Sequence, residues 1–267
     1  MSEKILLFIP CYNCAPQIGR VLAQLHGPAA AHISEVLVLD NGSNDGTIDR
    51  ARDAASGITA PPITIARNHS NYHLGGSHKA AFAYAAANGF SHVIVLHGDD
   101  QGRVDDVVPV LERGDHRNHD ACLGARFMRG STLHGYSRFR RLGNWVFNWL
   151  FSAIAGERIY DLGSGLNLFS RAVFTDPQVT RASDDLRFNN YLLMGLIDRR
   201  RRILYFPITW REEDQVSNVR LVSQTLGVLA IGWDYLARRR HFRTADHRER
   251  PIADYGMDVI ARSGAHG

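Results

Sequence analysis

A chain of 267 residues, 45% hydrophobic and 22% charged, can bury a large core as one α/β domain or as a domain with an appendage, which excludes a disordered or low-complexity chain. The net charge of +4 and the pI near 9.1 sit in arginine clusters at Arg138, Arg140 and Arg141, at 199–202 and at 238–240. These suit an anionic partner such as lipid headgroups, nucleotide phosphates or nucleic acid, and equally complement the ends of helices. Three cysteines make no disulfide framework, the amino terminus lacks a signal peptide's apolar core, and the apolar stretches 145–155 and 226–233 fall short of the ~20 residues that span a bilayer, so a cytoplasmic chain without a transmembrane helix is expected.

Strand and helix signals alternate through the first hundred residues. The run 4–9 reads as a buried strand stopped by Pro10, and Ile18, Val21, Leu22 and Leu25 give helical spacing over 16–26. A second strand follows at 35–39, a helix at 47–56, a third strand at 62–66, an alanine-rich helix at 75–88 and a fourth strand at 91–96. This alternation predicts right-handed crossovers, a mostly parallel sheet and strand ends gathered at one ligand-binding edge. Further on the pattern predicts helices at 104–113, 138–155 and 183–197, strands at 120–125 and 203–208, one long helix over 216–242, and a polar, proline-interrupted tail of poor order after Arg243.

The chemistry-bearing motifs lie at those strand ends. His97-Gly98-Asp99-Asp100-Gln101 follows the fourth strand, where paired carboxylates suit a hard divalent cation bridging to a phosphate, or cap the next helix. Asp40 ends the second strand and opens Asn41-Gly42-Ser43-Asn44-Asp45-Gly46-Thr47, where an acid can accept hydrogen bonds from a nucleobase or ribose, or close a plain Asx turn. An EF-hand reading of that loop fails, because an apolar strand precedes it and position twelve is Arg52. Cys11-Tyr12-Asn13-Cys14 has the spacing of a redox pair, but small buried cysteines at a strand end fit better. Asn71 to Lys79, with Gly75 and Gly76, precedes a helix whose N-terminus could receive a diphosphate, although it is neither a dinucleotide fingerprint nor a P-loop. Tyr160-Asp161-Leu162-Gly163-Ser164-Gly165 is a tight turn carrying one carboxylate.

The ordered set Ile9 to Asn13, Asp40 to Thr47, Asn71 to Gly75 and Gly98 to Gln101 resembles glycosyltransferase family 2, whose fold is the nucleotide-sugar-binding GT-A α/β sheet. Gly124-Ala125-Arg126-Phe127, Asp161 to Phe169 and Tyr205 to Trp210 resemble the branch of dolichyl-phosphate mannose synthase and bacterial polyprenyl-phosphate transferases. The resemblance covers roughly 4–235. It implies that Asp40 binds the nucleoside, that Asp99 holds Mg²⁺ or Mn²⁺ on the diphosphate with Gln101 beside it, that Arg126 lies near the phosphates, and that Asp161 lies at the acceptor side. Pro10, Tyr12, Asn13, Asn71, Gly75, Lys79 and Gly98 complete the expected GDP- or UDP-hexose site.

The sequence departs from that pattern at three places. His97 stands where the first metal-side acid is usual, so a Mn²⁺ ligand replaces a Mg²⁺ one unless Asp100 takes that part. Asn41 replaces an acid, and Gln215-Val216-Ser217-Asn218 lacks the expected lysine, for which Arg211 or Arg220 could substitute.

The chemistry so implied is an inverting displacement at the anomeric carbon, with the metal and Arg126 neutralising charge on the leaving diphosphate. A polyprenyl phosphate acceptor is already a nucleophile, whereas a hydroxyl acceptor needs a base, for which Asp161 is the candidate. The stretches 138–155 and 216–242 combine aromatic or aliphatic residues with basic ends, as interfacial helices do, which favours the lipid and a peripheral place at the inner membrane face. Core or dimer packing is the alternative for both stretches, and a homo-oligomer is left open. The expected organisation is a catalytic domain over 1–215 (a nucleotide-sugar half, 1–103, and an acceptor half, 104–215), an amphipathic helix over 216–242 and a tail over 243–267. An inactive nucleotide-sugar-binding scaffold is the reading of another class. Nucleic acid is not expected, because the basic residues lack interleaved stacking aromatics.

Overall fold

The computed structural model describes residues 3–212 and 221–264. The first half runs β1 (Ile5–Cys11), α1 (Ala15–Ala23), β2 (Glu35–Asp40), α2 (Thr47–Ser56), β3 (Ile63–Asn68), α3 (His73–Ala87) and β4 (His92–Leu96). The second half runs α4 (Val108–Glu112), β5 (Ala121–Ala125), β6 (Thr132–His134), α5 (Arg138–Ala155), β7 (Leu166–Ser170), α6 (Arg171–Phe174), α7 (Pro177–Arg181), α8 (Phe188–Asp198), β8 (Ile203–Pro207), β9 (Thr209–Arg211), α9 (Leu221–Ala237), α10 (Arg239–Thr244) and β10 (Met257–Ser263).

Eight strands form one sheet in the order β10-β3-β2-β1-β4-β7-β5-β8, with β7 antiparallel to both neighbours and β10 antiparallel to β3. The other pairings are parallel, so the carboxyl ends of β1, β2, β4 and β5 share one edge. β1 is apolar throughout because both its faces are covered. Ile5, Leu7 and Ile9 pack with Ile18, Val21 and Leu22 of α1 and Ala51 and Ala55 of α2. Leu6 and Phe8 point the other way, into Ala80, Ala81 and Phe82 of α3, Phe188 of α8 and Ile231 of α9. The alanines of α3 let that helix lie close against the sheet. The architecture is therefore the mixed α/β sandwich, mostly parallel, that the sequence predicts.

The structure differs from the sequence reading in three places. Leu166–Ser170, which follows the turn 160–165 and is assigned to no element from the sequence, is the antiparallel strand β7 in the middle of the sheet. The long helix over 216–242 is broken at Arg238, whose backbone leaves the helical region, and continues as α10; residues 216–220 lie outside the described residues. The tail is ordered where disorder is expected: β10 pairs along β3, and Tyr255 Oη donates to Asp184 Oδ1 at 2.8 Å. A polar strand at a sheet edge needs only one buried face and carries little hydrophobic signal. No helix among the described residues is long and apolar enough to cross a membrane.

Candidate active site

The loops after β1, β2 and β4 meet at the carboxyl edge. Asn13 stands at a positive φ of 50°; its N–H donates to Ser43 Oγ at 2.8 Å, and its Oδ1 accepts from Asn44 N–H at 3.1 Å. Asp45 accepts from Ala15 N–H and from Thr47, which hold its carboxyl below the usual range against a larger opposing effect of burial. The two loops are thus laced together before any ligand arrives.

Asp40 is fully buried and accepts from Gly42 N–H, Ser43 N–H and Arg67 Nε, the last at 2.9 Å. Asn41 is the hub of a second network. Its Oδ1 accepts from Asn68 Nδ2 at 2.9 Å and Tyr72 N–H at 2.8 Å, while its Nδ2 donates to Asn71 Oδ1 at 2.8 Å. An amide can both donate and accept here, which a carboxylate could not, so the asparagine at 41 has a structural reason. Pro10, Cys11, Tyr12, Asn41, Asn71 and His73 line a cleft of about 380 Å³ beside these networks, together with Asp185 and Leu186.

Gly98 lies where a Cβ would come within 2.8 Å of Cys11 Sγ and 3.0 Å of the Pro10 carbonyl, so glycine lets the end of β4 close against the end of β1. Its part is that packing. A hydrogen bond with Cys14, and then burial, push the Cys11 thiol well up, which removes the thiolate that redox chemistry needs.

The acids after Gly98 part company. Asp100, at a φ of 58°, turns its carboxylate under the sheet edge, where Arg20 Nε donates to Oδ2 at 2.7 Å and Gln24 Nε2 to Oδ1 at 3.3 Å. Both of its oxygens are engaged with α1 and its extension. Asp99 is half-buried and accepts from Gln101 N–H at 3.2 Å. Burial raises its pKa against the attraction of His97, and burial lowers that of His97. His97 Nε2 is buried without a hydrogen-bond partner, as are Trp210 Nε1 and Arg211 Nε. A Cβ at Gly165 would lie 3.0 Å from His97 Cγ and 3.1 Å from Trp210 Cη2, so the two rings stand side by side. Arg211 joins them through β9, its N–H donating to the Gln101 carbonyl at 2.9 Å. Orphaned buried nitrogens are rare in folded proteins, and three of those among the described residues belong to His97, Trp210 and Arg211. An imidazole, a carboxylate and an amide oxygen fit a borderline cation such as Mn²⁺ better than they fit Mg²⁺.

Arg126 and Asp161 form a buried bidentate pair. Arg126 Nε donates to Asp161 Oδ2 at 2.8 Å and Nη2 to Oδ1 at 2.8 Å, while Arg126 N–H and Gly163 N–H supply one further bond to each oxygen. Four donors fill the acceptor positions of that carboxylate. The Arg126 guanidinium lies 5.0 Å from the Trp210 ring and 5.3 Å from Phe127. Its pKa is raised by Asp161 despite a larger opposing effect of burial.

Two expected ligand residues are used by the protein itself. The N–H groups of Gly75 and Gly76 at the start of α3 donate to the Asp184 carbonyl, at 2.6 and 3.2 Å. Lys79 is buried, with Nζ donating to Asp184 Oδ1 at 2.6 Å and to the Ala182 carbonyl. The chain at 182–184, distant in sequence, fills the position that the motif alone would give to a diphosphate. Gly75 is needed there because a Cβ would lie 2.4 Å from the Ser183 carbonyl oxygen. Gly75→Ala should therefore lower stability by about 2–3 kcal/mol, read as a shifted urea midpoint; an unchanged midpoint would refute this packing. Arg67, Arg20, Asp184 and Trp210 are site or support residues that sequence reasoning does not single out. Only Arg67 and Trp210 carry a signal, each lying in a strand-end motif. The segment 215–218, with its missing lysine, and the substitute cation Arg220 lie outside the described residues.

Residues 7–176 match the family described as Glycosyl transferase family 2. The chain is 23% identical over 215 residues to polyprenol monophosphomannose synthase of Mycolicibacterium smegmatis, covering 80% of this chain and 79% of that protein. It is 24% identical to undecaprenyl-phosphate mannosyltransferase of Micrococcus luteus, covering 88% and 98%. A crystal structure of Mycobacterium tuberculosis glucosyl-3-phosphoglycerate synthase with Mn²⁺, UDP and glucosyl-3-phosphoglycerate superposes with a TM-score of 0.62 at 15% identity, covering 98% of this chain and 90% of that one.

Proposed function

The chain belongs to glycosyl transferase family 2 and is a glycosyltransferase; from its cleft we propose that it moves a hexose from a GDP- or UDP-sugar to a polyprenyl phosphate at the inner membrane surface. The observation that carries the acceptor class is the Asp161 carboxylate, whose four bound donors leave no position for taking a proton from a hydroxyl. A phosphate nucleophile needs no base. It needs charge screening, which Arg126 supplies: none of its bonds to Asp161 or Gly163 uses Nη1, and Trp210 Nε1 and Arg211 Nε stand unpartnered nearby.

On this reading Asp40, Arg67 and the Asn41–Asn71 network bind the nucleoside end of the donor beside the cleft that Pro10 and Tyr12 border. Asp99, His97 and Gln101 would hold the cation, Mn²⁺ by preference. When bound, it offsets charge developing on the departing diphosphate. Attack on the anomeric carbon from the face opposite that diphosphate inverts its configuration. The relatives named for mannosyl transfer to polyprenol and undecaprenyl phosphate support this acceptor class.

The membrane part of the proposal rests on α5 and α9. On α5, Phe139 (83% exposed), Trp145 (60%) and Trp149 (73%) face outward, as does Trp233 (64%) on α9. The two helices touch, since a Cβ at Gly232 would lie 3.0 Å from Ile154 Cδ1 and 3.2 Å from Phe151 Cζ, so their outer faces adjoin. Exposed Arg138 and Arg141 flank the patch, which fits an anionic lipid surface. Trp145 and Trp149 also line a groove with Phe127, next in sequence to Arg126, so a lipid phosphate could reach the arginine from the membrane side.

The test is turnover of a panel of nucleotide sugars with Mn²⁺ or Mg²⁺, with and without polyprenyl phosphate in anionic vesicles. Product formed only with the lipid, and vesicle binding lost in Trp145→Glu/Trp149→Glu, are the expected results. Transfer to a hydroxyl acceptor without lipid would overturn the acceptor assignment, and unchanged vesicle binding the membrane face.

A further inference from the structure

We infer that Glu3, His92 and His116 form a binding site for a divalent transition metal of the Zn²⁺ type, at the edge of the sheet opposite the catalytic cleft. Glu3 lies two residues before β1, and His92 opens β4 directly across from Ile5. His116 comes from the single helical turn 115–117 that follows α4. One ligand atom from each of the three lies within 4.8 Å of the others.

The arrangement has the features of a metal site. His116 is 1% exposed, with Nδ1 3.4 Å from the Val110 carbonyl and Nε2 2.8 Å from Glu3 Oε1. A ring nitrogen held on a backbone carbonyl turns the other one toward the metal, as supporting contacts commonly do. The His92 ring stands edge-on to that of His116 at 5.1 Å between centroids. Its Nδ1 lies 3.1 Å from Ser91 Oγ, a contact that binding through Nε2 would keep. Arg117 Nη2 donates to Glu3 Oε2 at 3.0 Å and fixes the carboxylate. Burial and then the neighbouring His116 lower the His92 pKa, while Arg117 most of all brings that of Glu3 to about 2. A neutral imidazole and an ionised carboxylate are the forms that bind metal.

Glu3 is held by His116 and Arg117, and the His92 ring by Ser91 and the His116 backbone, and these contacts bring one ligand atom of each of the three side chains within 4.8 Å of the others. Two histidines and one glutamate form a Zn²⁺ ligand set with a fourth position open to solvent, here on the exposed Glu3 side. Bound metal would staple the chain before β1 to β4 and to the turn after α4.

Zn²⁺ binding to the tag-free, chelator-treated full chain tests this, carried out in an Asp99→Ala background so that the catalytic cleft lacks its carboxylate. One equivalent should bind, Co²⁺ should give the visible absorption of a tetrahedral complex, and saturating Zn²⁺ should raise the melting temperature by about 5–10 °C. His92→Gln and, separately, the exposed change Glu3→Gln should each weaken binding at least ~10-fold. In the unaltered catalytic background, both should leave glycosyl transfer intact. Absence of Zn²⁺ binding, or unweakened binding in both variants, would overturn the site.

Discussion

Asp99→Ala should lower kcat/KM by about 10³-fold or more, while Asp100→Asn, one residue away, should leave Mn²⁺-dependent donor binding in place. The two acids look interchangeable in sequence, but their surroundings assign them different work. Asp99 is half-buried beside the unpartnered His97 Nε2, and burial raises its pKa, so an ionised Asp99 costs stability that a bound cation would return. Removing it should leave the melting temperature unchanged or slightly higher. Asp100 instead holds Arg20 and Gln24. Asn tolerates its left-handed backbone, so Asp100→Asn loses chiefly the ion pair with a half-exposed arginine, about 1 kcal/mol of stability. Activity assays, Mn²⁺ titration and thermal melts on both variants decide the matter. A dead Asp100→Asn beside an active Asp99→Ala would reverse the assignment.

Asp161→Asn should destabilise the protein by about 3–5 kcal/mol as well as abolish transfer, because it leaves the Arg126 guanidinium buried without its counter-charge. The pair is 12% and 2% exposed at the two side chains, and Asp161 receives donors on both oxygens. Arg126→Met should cost a similar amount by stranding the carboxylate. The double variant Arg126→Met/Asp161→Leu should recover much of the stability, since apolar replacements of a buried pair are often tolerated, yet remain inactive. Denaturant unfolding and transfer rates on the three variants separate holding from chemistry. If Asp161→Asn kept full stability and lost only kcat, Asp161 would be the base of a hydroxyl-acceptor enzyme.

The same residues show how far sequence reading reaches. Asp40, Asp99 and Arg126 can be placed at one edge from the amino-acid sequence because each ends or follows a strand, and strand ends in a parallel sheet converge, whereas Asp161 precedes the antiparallel β7. The α5 helix is legible to the residue, since its aromatic face and basic start form one local pattern. Lys79 and Gly75 escape that reasoning for the complementary cause. A glycine-rich helix start looks alike whether a diphosphate or a carbonyl of the same chain will occupy it, and Asp184 lies more than a hundred residues away.

By itself the sequence determined the alternation of strands and helices, the family, and the residue types gathered at the catalytic edge, because these depend on periodicity and on motifs a few residues long. Only the tertiary structure decided that Asp100 is tied to Arg20 and Gln24, that the Asp161 oxygens are fully occupied, and that Glu3, His92 and His116 meet at the far edge. Those outcomes depend on distances between segments far apart in the chain, which burial and hydrogen bonding set only once the sheet has formed.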